Sequence, residues 1–67
     1  MKRWQFRAGC RLAGWSEIDA ARALGITVDD LREIESGDLD TELTGPVIDR
    51  ARDQFLAWRL ASALRLS

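Results

Sequence analysis

Apolar side chains recur along this chain at helical spacing, and the pattern stops wherever glycine appears. Phe6, Cys10 and Ala13 fall at i, i+4 and i+7, which predicts a helix over about residues 2–13 with Arg3, Arg7 and Arg11 as a basic stripe beside the apolar face. Gly14, Gly25, Gly37 and the pair Gly45-Pro46 divide the chain into four helical pieces. No run of alternating β-branched residues occurs, and alanine, leucine, arginine and glutamate, all good helix formers, dominate. The expected fold class is all-α, a small domain of four to five helices.

Capping residues sharpen the boundaries. A second helix opens at Ser16, whose hydroxyl can accept from the amide of Asp19 while Asp19 reaches back in a short capping box, and it ends at Gly25. A third opens at Thr27, with Asp30 three residues on and Ile26 and Leu31 placed as a hydrophobic staple, and stops at Gly37. Asp29 and Asp30 in its first turn favour the positive end of the helix dipole by ~0.3–1 kcal/mol each. The last helix begins with Pro46 at its first position and extends to about residue 66. Val47, Ile48, Ala51, Phe55 and Trp58 make one apolar face of it, for the core. From Leu56 a second face appears, made of Leu56, Leu60, Ala63 and Leu64, and it is the expected seam of a homodimer. The competing expectation is that these last turns fold back onto Trp4 and Phe6 and complete a monomer's core.

Length and composition narrow the class. The 67 residues make one domain, 1–67, small enough that a partner subunit is a natural source of stability. A hydrophobic fraction of 46% is that of a folding chain, not a disordered tail. One cysteine and no histidine leave no internal disulfide and no ligand set for structural zinc, so no metal or cofactor is expected. No segment approaches the ~20 apolar residues of a membrane span, and the expected location is the cytoplasm. The net charge of −1 is unevenly spread. Between residues 16 and 38, seven carboxylates meet only Arg22 and Arg32, so this unit carries −5 and the rest of the chain +4.

Residues 13–37, "AGWSEIDAARALGITVDDLREIESG", resemble the Cro and phage-repressor (lambda repressor-like, or XRE) family of helix-turn-helix proteins. Small Ala21 at the helix crossing, Gly25 at the turn, Ile26, Leu31 and Ile34 as the shared core, and Glu35-Ser36-Gly37 closing the third helix carry the likeness. It covers about a third of the chain and weakens in the first helix, where Gly9 and Cys10 stand at positions that many relatives fill with leucine and arginine. The resemblance implies a helix-turn-helix core over residues 16–37, a long C-terminal helix over 46–66, and a dimeric regulator of transcription that binds double-stranded DNA. Carried over by position, the base-facing residues are Val28, Asp29 and Glu33 with Arg32 beside them, and Glu17 stands where a phosphate-contacting amide is common.

Only Arg32 suits that role. A carboxylate in the groove can accept from a cytosine amino group, but it needs neighbouring lysines or arginines to offset the phosphates. Arg3, Arg7, Arg50, Arg52 and Arg59 are the residues that would reach the backbone from outside the motif. DNA binding comes first on the resemblance. The alternative, read from charge, is an acidic protein-binding module, such as a phage-type inhibitor or antitoxin-like adaptor, that docks on a basic protein surface. There Asp29 and Glu33, one turn apart, would be the contact residues. An enzyme is not expected, and no catalytic residue is assigned. Trp4, Trp15 and Trp58 are expected to anchor a core or interface.

Overall fold

The computed structural model describes the backbone of residues 1–66 and the side chains of residues 1–57. The fold is all-α: α1 (Arg3–Leu12), α2 (Glu17–Leu24), α3 (Val28–Glu35) and α4 (Pro46–Leu66), with no strand among the described residues. Of the expected apolar faces, Trp58, Leu60, Ala63 and Leu64 have side chains outside the described residues, as does Arg59.

Helices α2 and α3 start where a donor problem is solved locally. Ser16 Oγ accepts from Asp19 N at 3.2 Å and Asp19 returns a carboxylate oxygen to Ser16 N at 3.2 Å, which closes the expected box on α2. Thr27 Oγ1 accepts from Asp30 N at 3.1 Å at the start of α3. The first amides of α1 are satisfied from a distance: Arg3 N and Trp4 N donate to the carbonyls of Thr41 and Leu39 in the α3–α4 loop. That loop is tied along the N-terminal residues by a bridge between Lys2 and Glu42 and by Leu43 N donating to Met1 O at 2.7 Å.

The core collects one row of side chains from every helix: Phe6 and Cys10 from α1, Ala20 and Leu24 from α2, Leu31 from α3, and Ile48 and Ala51 from α4. Ala21 of α2 is also buried. Ile26, Ile34, Val47 and Phe55 pack around this centre, so Ile26, Leu31 and Ile34 belong to one core. Ala13 lies just past the end of α1 and is half-buried, at the edge of the face that Phe6 and Cys10 bury. Trp15 joins the core edge through Phe55, with ring centroids 5.6 Å apart, whereas Trp4 stays 47% exposed and is not a core anchor.

On α1, Gly9 lies directly against Phe55 of α4. A Cβ on Gly9 would fall 2.5 Å from Phe55 Cε2, and Phe55 is itself held between Phe6 and Trp15. The spacing that departs from the family pattern at Gly9 is therefore required by packing. Gly9→Ala would gain ~1 kcal/mol of helix propensity yet lose more to overpacking, which typically costs ~1–3 kcal/mol. A net destabilisation is expected, read as a lower urea midpoint with the helical signal intact beforehand.

Candidate docking surface on α2 and α3

The turn between α2 and α3 brings their exposed flanks onto one surface. Gly25 adopts φ 68°, a left-handed conformation that lets Ile26 N reach back to Ala21 O at 3.0 Å, and only Thr27 then separates Ile26 from α3. On that surface the structure brings together Glu17 in the first turn of α2 and Arg32 in the last turn of α3. Arg32 Nη2 donates to Glu17 Oε2 at 3.1 Å, with both side chains more than half exposed. Asp29 lies one turn before Arg32 on α3, and Glu17 and Asp29 together push the guanidinium further above its already high range. Asp29 and Glu33 are both exposed and Val28 is half-buried; of the five positions expected to face a partner, the structure brings Glu17 and Arg32 into contact.

The base supply expected from elsewhere in the chain is smaller than the sequence implies. Arg3 does not belong to a solvated basic stripe: its Nε donates to Ile34 O at 2.8 Å and its Nη1 to Asp38 O, so the side chain covers the C-terminal end of α3. Arg50 does the same for α2, with Nη1 donating to Leu24 O at 2.8 Å. A guanidinium at a helix C-terminus satisfies carbonyls that lack an intrahelical partner and meets the negative end of the dipole. Both arginines were candidates for phosphate contact, and both are spent on holding the α2–α3 unit. No local sequence signal marks this, because each partner lies more than twenty residues away. Arg7 and Arg11 remain exposed on α1, where they border a small hollow shared with Glu17 and Glu35. Arg52 is exposed on α4.

The remaining chemistry is structural. Burial, with the charge of Glu35 nearby, pushes the Cys10 thiol up to about 11, so it stays protonated at neutral pH. Hydrogen bonds from Ser16 hold the exposed Asp19 carboxyl below its usual range, which keeps the α2 cap charged. Among the described residues no group of three or more carboxylates or thiols is arranged to hold a metal ion, and no helix is long and apolar enough to cross a membrane. Compared with protein-family models, with curated proteins and with solved structures, the chain matches none.

Proposed function

We propose that α2, its turn and α3 form a helix-turn-helix module of the Cro/phage-repressor kind whose working partner is a basic protein surface and not DNA. The observation that carries this reading is the use of the arginines. Arg32 is paired with Glu17, while Arg3 and Arg50 are committed to helix ends, so Asp29, Asp30, Glu33 and Asp38 stay exposed, and the exposed arginines Arg7 and Arg11 lie instead beside Glu17 and Glu35. Such a face is repelled by phosphate and attracted to lysine- and arginine-rich surfaces, where complementary charge speeds association and selects the partner. The module would act as a regulator by occupying a site on another protein, for instance by covering a nucleic-acid-binding surface.

A second reading, a DNA-binding transcriptional regulator, keeps one observation in its favour. The Arg32–Glu17 pair is exposed, and such pairs are worth only ~0–1 kcal/mol, so a phosphate or a guanine edge would compete for the guanidinium. Titrating the protein with random-sequence duplex DNA and, separately, with an arginine-rich peptide, each at low and moderate salt, decides between them. Protein docking predicts saturable, salt-sensitive binding of the peptide and no measurable binding of the duplex. Duplex binding that falls steeply with salt, without peptide binding, reverses the conclusion.

A further inference from the structure

Outside the α2–α3 face, α1 and α4 leave an apolar groove of ≈ 530 Å³ open to solvent. One wall is Trp4, Ala8 and Leu12, at i, i+4 and i+8 on α1, and the other is Arg52, Phe55 and Leu56 on α4. Trp4 is 47% exposed, Leu12 68% and Leu56 50%, so the side of α1 opposite Phe6 and Cys10 is apolar as well. Gly9 brings no side chain to the α1 wall, where the half-buried Phe55 lies directly against it. The charge here is opposite to that of the α2–α3 unit. Among the described residues no carboxylate lines the groove, and Arg52 makes no ion pair. Asp49 and Asp53 of the same helix stay outside the lining, and the Met1 ammonium beside it is matched by Glu42 at 3.3 Å.

We propose that this groove seats an acidic amphipathic helix of another protein, with apolar side chains of the partner between the two walls and a carboxylate of its flank on Arg52. Shape selects a helix over a small ligand. Sites for small molecules enclose ~70–90% of the ligand surface. Here the walls are themselves about half exposed, and the groove lies open along ~12 Å of α1, the rise from Trp4 to Leu12 at ~1.5 Å per residue. That length is a little over two helical turns, the span of apolar anchors at i, i+4 and i+7 on an entering helix. An extended peptide has less to hold, because it binds through backbone hydrogen bonds to a strand edge, and both walls are helices. Charge selects the flank. An unpaired guanidinium at the edge of an apolar groove, where water is partly excluded, attracts a carboxylate more strongly than it would in open solvent. The same sign rule keeps the two faces apart: the α2–α3 unit at −5 repels an acidic helix and leaves the groove as the place where it can settle.

Fluorescence anisotropy with a labelled helical peptide tests this. The probe carries leucines at i, i+4, i+7 and i+11 with glutamates along the flanks, and its control has glutamine in place of every glutamate. At low salt the protein is expected to bind the glutamate peptide about tenfold more tightly than the glutamine peptide. Arg52→Glu should weaken the glutamate peptide by about tenfold or more and leave the glutamine peptide within about twofold, since the apolar walls are untouched. Leu12→Glu should lose both peptides yet keep the binding of an arginine-rich peptide at α2 and α3, so the two surfaces are read separately. Leu12 is outside the core and mostly exposed, so the folded domain loses little by its replacement. Should Leu12→Glu lose helicity by circular dichroism, Leu12→Ser is read in its place, with both peptides expected about fivefold weaker. Absence of binding by the wild type, equal affinity for the two peptides, or a glutamate-peptide affinity that Arg52→Glu leaves unchanged overturns the proposal. So does a wild type that sediments as a dimer split by Leu12→Glu, because a second copy then fills the groove.

Discussion

Phe6→Ala is expected to remove most of the stability of this domain. Phe6 is fully buried, sits at the centre of a core drawn from all four helices, and packs its ring against Phe55 with centroids 6.2 Å apart. Truncating such a side chain costs about 3–5 kcal/mol, through lost transfer energy and the cavity left where neighbours cannot close in. Collapse into the cavity is hindered here because Leu24 and Leu31, on separate helices, are also fully buried and held by the α2–α3 turn. At ~0.05–0.15 kcal/mol per residue, a chain of this length holds only about 3–10 kcal/mol in total. The variant should therefore be largely unfolded or have its urea midpoint reduced by half or more, measured by circular dichroism. A midpoint within experimental error of the wild type would mean that α1 is not fixed to α4 through Phe6 and Phe55.

Asp29→Arg combined with Glu33→Arg should exchange one partner for another. Both side chains are exposed on the flank of α3 that carries Arg32, and the double substitution moves the charge of residues 16–38 from −5 to −1. Under the proposed function it abolishes docking on an arginine-rich peptide. It also creates two phosphate contacts beside Arg32. Counterion release makes each new contact worth about tenfold in affinity near ~0.1 M salt, so duplex binding should strengthen by on the order of 100-fold and acquire a steeper salt dependence. Loss of Asp29 from the first turn of α3 costs about 0.3–1 kcal/mol of helix stability, small enough to leave the domain folded. If peptide and duplex affinities both stay as in the wild type, α3 is not the surface that meets a partner.

Most of the local architecture was legible in the sequence because its causes are local. The caps at Ser16 and Thr27, the stop at Gly25 and the proline at the start of α4 act over three or four residues, and the apolar pattern named Phe6, Cys10, Leu31, Ile48 and Ala51 as inward positions, whereas Leu24, fully buried, was not among them. The acidic character of the α2–α3 unit was equally plain, since it depends on composition alone.

What each arginine does could not be read this way. Arg3, Arg7 and Arg11 share one helical spacing, yet Arg3 reaches the end of α3 while the other two stay at the surface, because only Arg3 stands at the end of α1 that lies beside Ile34 and Asp38. Arg50 meets Leu24 O, and Arg32 meets Glu17, only once α4 and α2 are in place. Helical spacing already puts Trp4 and Leu12 on the side of α1 away from Phe6 and Cys10, but only the packed structure decides that they stay largely uncovered while Gly9 meets Phe55. Sequence determined the helices and the sign of their charge, because backbone hydrogen bonding and charge count are set residue by residue. Tertiary structure decided which cations remain available and which apolar side chains stay uncovered, because both depend on contacts between residues far apart in the chain.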